Sequence, residues 1–296
     1  MVKWTNKIKD RHSIYAGFLG YGTKALDALT RSKQYEVCYF LTPESRMCNE
    51  VREAGERYSD QFPMEVIHSK QELITRFEQI IQEGKVECFL INACPYIIPE
   101  SLIQRFDFYN IHPGSLHNNR GHQPHSWSVL LDEKETKIVL YKISAGIDEG
   151  KVVAEKNIEV MPQDDEGTLL NRTESYIPEL LARLYDHIET NTPFLYLAYN
   201  GEYRVNMVRE DYCFHLGMEP FEMLDRKIRS RKLHSGACIY DEKGKRWIYV
   251  NEILSKEYNA ENIVSLKQQE EFLLLYQNQE MVKCHISKIV QDYDLK

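Results

Sequence analysis

Short apolar runs and amphipathic helical stretches alternate through the first hundred or so residues, and this alternation limits the fold more than any other feature. IYAGFLG, from Ile14 to Gly20, has the character of a strand, GYG of a turn, and TKALDALTRS of a helix with Ala25, Leu26 and Leu29 on its apolar face. EVCYFLT gives a second strand, GERYSDQFP a loop or short helix, and MEVIHS follows. QELITRFEQIIQEG then has the pattern of an amphipathic helix closed by Gly84, and VECFLINAC that of a fully buried strand. Such alternation predicts an α/β fold with a mostly parallel, helix-covered sheet. Gly17, Gly20 and Gly22 are read as part of a strand-to-helix turn, because a lone glycine cluster is weak evidence for dinucleotide binding.

Two later segments carry chemistry. In FYNIHPGSLHNNRG, Asn110 and His112 stand two apart at the end of a β-like run, so an extended strand points both to one face. Pro113 removes a backbone donor and Gly114 permits a sharp turn, which ends the strand and leaves the pair at its edge. Open α/β sheets place their ligands at such edges. In SAGIDEGKVV, Asp148 sits in a glycine-flanked turn ahead of a second β-like run, KVVAEKNIEV. A carboxamide, an imidazole and a carboxylate are the parts that acyl transfer to an amine requires: an oxyanion donor, an acid or charge stabiliser, and a proton acceptor.

Asn-Ile-His-Pro-Gly, then Arg120-Gly121, then Gly-Ile-Asp-x-Gly, together resemble the formyltransferase family that uses N10-formyltetrahydrofolate. FLGYGTKALDAL, CFLINACPYIIPESL and DDEGTLLNRTESYIPELL supply matching context, and the likeness runs over roughly residues 14 to 190 and more faintly to about 254. The resemblance implies a Rossmann-like catalytic domain over residues 1–198 and a smaller, β-rich, OB-like domain over 199–296. It implies Asn110, His112 and Asp148 as catalytic residues. The folate would be met, mostly through main-chain atoms, by Cys94, Tyr96 and Ile98 and by Gly146 and Ile147; the acceptor would be met by Gly114, Arg120, Gly121 and Tyr141. Two departures bear on the acceptor side. The usual Gly-Val-Thr-x-His stands here as Lys137, Ile138, Val139, Leu140 and Tyr141, and in the usual Leu-Pro-x-Tyr-Arg-Gly the proline and tyrosine become His117 and Asn119.

The acceptor is approached through charge. A net charge of −8, with basic and acidic residues nearly balanced beyond residue 200, lacks the cationic bias on which nucleic-acid binding depends. One locally basic run, DRKIRSRK at 225–232, has the character of a solvated helix face or a diphosphate contact, with Arg226, Arg229 and Arg231 as candidates. TLLNRTESYIPELLARLYDHIETN has the pattern of one long helix, and the β-runs around DEKGK resemble the C-terminal module of the methionyl-tRNA and sugar enzymes, a module that this resemblance implies the shorter purine-pathway enzyme lacks. A small acceptor with two phosphates fits best: a UDP- or dTDP-linked amino-deoxy sugar destined for polysaccharide, its base stacked on an aromatic face such as Trp127, Tyr199 or Trp247. Formylation of an aminoacyl-tRNA or carrier-bound amino acid, hydrolysis of the formyl donor, and a folate- or nucleotide-binding regulator stay open as alternatives.

The remaining expectations are plain. His117, His122 and His125 match no ligand spacing, so no metal is expected. Seven cysteines without a CxxC pair suit reduced thiols in the cytoplasm. The basic start, MVKWTNKIKDRHS, has no apolar stretch behind it, and no run reaches the ~20 residues of a membrane span. A homodimer is open; nucleic-acid and membrane partners are not expected.

Overall fold

The computed structural model describes residues 13–291; the basic segment 1–12 lies outside the described residues. In chain order the elements are β1 (Ile14–Gly20), α1 (Thr23–Arg31), β2 (Tyr35–Pro43), α2 (Asn49–Arg57), β3 (Met64–Ile67), α3 (Lys70–Glu83), β4 (Cys88–Asn92), α4 (Glu100–Ile103) and β5 (Asp107–His112). There follow β6 (Arg120–Gly121), α5 (Pro124–Leu130), β7 (Glu135–Ile143), β8 (Gly150–Glu159), α6 (Glu166–Glu174), α7 (Ile177–Thr190), β9 (Tyr196–Ala198), β10 (Tyr203–Arg204), α8 (Arg209–Tyr212) and α9 (Phe221–Ser230). The last five strands are β11 (Ala237–Asp241), β12 (Arg246–Tyr258), β13 (Ser265–Gln269), β14 (Phe272–Gln277) and β15 (Glu280–Gln291).

The chain packs as two compact units. The first takes in the chain as far as His112, with Ile138–Lys156 and Glu174–Gly201; the second holds Pro113–Lys137, Asn157–Thr173 and the chain from Glu202. The first unit is built on an eight-stranded sheet of order β3-β2-β1-β4-β5-β7-β8-β9. β1 to β5 pair in parallel, as the strand–helix alternation predicts, and β7 then runs antiparallel to β5. β4 is buried at every position, and Phe77 of α3 sets its ring edge-on against Phe89 of β4 and Phe108 of β5, at 4.9 and 5.0 Å. Burying such rings is what fixes helix to sheet, at about 1.5–3 kcal/mol for each side chain.

The second unit carries a five-stranded antiparallel sheet of order β11-β12-β15-β14-β13. The fold is thus an α/β core with a mostly parallel sheet plus a β-rich second part. Its interior joins Phe214, Phe221, Leu224 and Ile228 to Ile248, Leu273, Leu275 and Val282.

Two elements differ from the sequence reading. The helix after β2 begins at Asn49 rather than inside GERYSDQFP, because Val51, Ala54 and Gly55 form its buried side. The long helix expected from Thr168 onward is two helices, α6 and α7, with Pro178 in the first turn of α7. A proline there is well tolerated, but it could not continue a preceding helix without losing a hydrogen bond. The break falls where the chain leaves the second unit for the first.

Candidate active site

The side chains of Asn110 and His112 share one face of β5, at the C-terminal end of the parallel strands. Antiparallel pairing sets Tyr141 of β7 directly opposite Asn110 and Val139 opposite His112. Partners across a sheet point to the same face, so the register delivers the Tyr141 phenol to Asn110. The chain then turns between β7 and β8. Ser144 N–H donates to Glu149 O at 3.0 Å and Glu149 N–H to Gly146 O at 3.4 Å, holding Asp148 at the tip with φ of 48°. That left-handed conformation is one that Asp adopts more readily than most residues. Gly150 closes the turn at φ of 155°, where a Cβ would stand 2.0 Å from Lys142 O.

The result is one connected set of side chains, all within the first unit. Asn110 Nδ2 donates to the Tyr141 hydroxyl at 2.8 Å, and that hydroxyl donates to Asp148 Oδ1 at 2.8 Å. The other carboxylate oxygen, Oδ2, faces His112 Nδ1 at 3.6 Å, an ion-pair distance somewhat longer than a hydrogen bond. The side chains of His112 and Asp148 are only 6% and 14% exposed, so their field is weakly screened by solvent. The three residues singled out as catalytic therefore do converge. Chemically the set offers a carboxamide donor, an imidazole and a carboxylate held to it.

Asn92, at the end of β4, was not anticipated. Its Nδ2 donates to Ile111 O at 3.0 Å, and its main chain and side chain lie so close to Gly20 and Gly22 that Cβ atoms there would sit 1.9 Å from Asn92 O and 1.7 Å from Asn92 Oδ1. It locks the ends of β4 and β5 to the first turn of the fold. A polar residue closing the apolar run CFLIN, downstream of GYG, was the available signal.

The loop after β4 begins at Ala93, another residue with positive φ. Cys94 is half-buried, its sulfur accepting the Tyr96 N–H at 3.4 Å, and burial pushes its thiol up to about 11. Burial thus favours the neutral thiol over the thiolate. Ile98 is buried in the apolar cluster with Leu102, and Cys94 and Tyr96 pack on the same cluster. Gly146 and Ile147 lie in the turn that holds Asp148, with Ile147 45% exposed.

Gly114, Arg120 and Gly121 belong to the second unit. Arg120 and Gly121 form β6, paired in parallel with Tyr203 and Arg204 of β10, and Gly114 is buried. Asn119 is fully buried, its amide donating to Pro124 O at 2.9 Å and Ser128 Oγ at 3.0 Å. His125 is buried while His117 and His122 are exposed, and among the described residues no group of three or more His, Cys, Asp or Glu is placed to hold a metal ion. The basic run at 225–232 is largely engaged internally. Lys227 is buried against Cys213 O and Glu219, Arg229 donates to Asp225 Oδ2 and Asp164 O, and Arg231 lies 4.9 Å from the Tyr212 ring. Of the three candidate stacking faces, Trp127 donates to Val205 O, Trp247 packs on Tyr240 and beneath Arg209, and Tyr199 is exposed. Among the described residues no helix is long and apolar enough to cross a membrane.

The formyl transferase family model matches residues 21–184, more than half of the chain, and the chain belongs to that family. The methionyl-tRNA formyltransferase of Prochlorococcus marinus subsp. pastoris is 26% identical over 187 residues, which cover 60% of this chain and 56% of that protein. The chain thus spans little more than half the length of such curated relatives. Among solved structures, HypX from Aquifex aeolicus in complex with tetrahydrofolic acid superposes with a TM-score of 0.65 at 13% identity, over 96% of this chain and 47% of that one. A sugar N-formyltransferase from Shewanella sp. FDAARGOS_354 gives 0.64 at 15% identity, over 81% of this chain and 97% of that one. At such identities the likeness is one of fold.

Proposed function

We propose that the protein transfers the formyl group of N10-formyltetrahydrofolate to the amine of a UDP- or dTDP-linked amino-deoxy sugar. The observation that carries the reading is the approach of His112 Nδ1 to Asp148 Oδ2 at 3.6 Å, with Asn110 joined to the same carboxylate through Tyr141. Asn110 and His112 donate to the formyl oxygen as it gains negative charge under attack by the neutral amine. Asp148 orients the imidazole and takes, directly or through a water, the proton that the amine nitrogen loses. A new carbon–nitrogen bond forms, and the bond to N10 breaks as that nitrogen is protonated. No covalent enzyme intermediate is needed.

The folate contacts are proposed to be the main chain at Cys94, Tyr96 and Ile98, with Gly146 and Ile147; the tetrahydrofolic acid complex of HypX supports a folate in this fold. Gly114, Arg120 and Gly121 stay the proposed acceptor contacts on the strength of their motif. Residues 1–198 are taken as the catalytic domain and 199–296 as the smaller one, in a cytoplasmic enzyme. An acidic chain and a solved sugar N-formyltransferase, 97% of which superposes on this chain, favour the small acceptor. The sequence relatives favour a second reading, formylation of an aminoacyl-tRNA. Offering the protein UDP-, dTDP-, GDP- and CMP-linked amino sugars and charged tRNA in turn, with the formyl donor, and weighing each product by mass decides between them. A formyl gain on a UDP or dTDP sugar alone is expected; a gain on tRNA alone would replace this reading with the second.

A further inference from the structure

We infer that Tyr141 is a positioning residue that couples the oxyanion donor to the proton acceptor, rather than a contact to the acceptor substrate. The inference rests on the formyl-transfer reading and adds to it a role that the family pattern, with a histidine at this place, does not specify.

The geometry is that of a relay with both ends occupied. Tyr141 lies in the interior of β7, is 2% exposed and faces Asn110 across the sheet. Its oxygen accepts from Asn110 Nδ2 at 2.8 Å while its proton goes to Asp148 Oδ1 at 2.8 Å. A phenol has one proton to give, so with that proton on Asp148 it has none for a substrate. Each bond settles something about its partner. Accepting from Nδ2 fixes which end of the Asn110 carboxamide is nitrogen on this side, and a carboxamide nitrogen carries a second hydrogen for a developing oxyanion. Donating to Oδ1 fixes the rotation of the Asp148 carboxylate, which turns Oδ2 toward His112. Asp148 sits on a turn with positive φ, so its orientation is held by these side-chain contacts together with the turn. Removing the hydroxyl takes away one restraint on the amide and one on the carboxylate, without changing the shape of the buried ring.

Tyr141→Phe is therefore expected to lower kcat about 10- to 100-fold, the worth of a hydrogen bond to a charged group, with KM for donor and acceptor near wild type. Tyr141→His restores a side chain able both to accept and to donate, and is expected to recover most of the lost turnover. The part of the effect that runs through Asp148 disappears once the carboxylate is gone, and only the part that runs through Asn110 persists. Tyr141→Phe added to Asp148→Asn should then cost less than it does alone, whereas independent effects would multiply. The cycle also covers a poorly folding single variant, since a packing defect persists in either background. A Tyr141→Phe enzyme as fast as wild type, one that raises acceptor KM alone, or a fully multiplicative cycle overturns the inference. Absence of formyl transfer by the wild-type protein in the same assay instead removes the functional reading on which it rests.

Discussion

A carboxylate 3.6 Å from a buried imidazole needs a reason to be there, because neither group is buried cheaply without a partner. The formyl-transfer reading supplies one, and at the scale of the residue it makes a direct demand. His112→Ala or Asp148→Asn should lower kcat by about 10²- to 10⁴-fold, the range for losing a positioned acid–base or oxyanion group, while the affinity for the folate donor changes little. Steady-state kinetics with a donor titration checks both halves; near-wild-type turnover from either variant contradicts the roles given. Asn110, His112 and Asp148 were visible in the sequence because their motifs are local: a strand with period two ending at Pro-Gly, and a glycine-flanked turn. The bond from Asn110 to Tyr141 was not, since it depends on the register of β7 against β5, set across a separation of 31 residues.

Among the elements, the tightest constraint is where the first turn meets the end of β4. Gly20 has φ of 137° and a Cβ there would sit 1.9 Å from Asn92 O, so backbone must shift to admit any side chain. Gly20→Ala should cost at least about 1–3 kcal/mol, seen as a lowered midpoint in thermal or denaturant unfolding; an unchanged midpoint would mean that the close approach is absent. A second element-level clip is Asp164, ahead of α6. Burial pushes its carboxyl up, but the Arg172 guanidinium, the Met161 N–H and the Thr168 hydroxyl outweigh that and leave it below the usual carboxylate range. A lowered folded-state pKa adds stability above the unfolded value near pH 4, and that stability is lost as the pH falls through the folded value. Asp164→Asn should accordingly destabilise by about 1–3 kcal/mol at neutral pH and by progressively less below about pH 4, measured by denaturant unfolding across that range. A deficit independent of pH would argue against the ionised clip. Most strands and helices of the first hundred residues were legible because burial follows their periodicity, the helix that begins at Asn49 being the exception. The break between α6 and α7 was not, since apolar spacing runs on through it and only Pro178 marks it.

For the whole molecule, the interleaving of the two units shows what a linear reading misses: segments 113–137 and 157–173 pack with the chain beyond Glu202 although they lie within the family match. Charge, by contrast, is a whole-chain property that the sequence carries in full. With a net charge of −8 and much of the basic run at 225–232 bound to its own neighbours, turnover on the accepted acceptor should change only modestly between about 50 and 200 mM salt. A loss of order 10³-fold over that span would instead be the mark of a polyanionic acceptor. The most direct test of the account follows the formyl carbon itself. N10-formyltetrahydrofolate labelled with carbon-13 in the formyl group is incubated with the protein and a UDP- or dTDP-linked amino sugar, and the label is located by NMR. The account predicts the label in a new amide on the sugar for the wild-type protein and its near absence for His112→Ala; label found only in free formate, or equal amide formation by the variant, would contradict it.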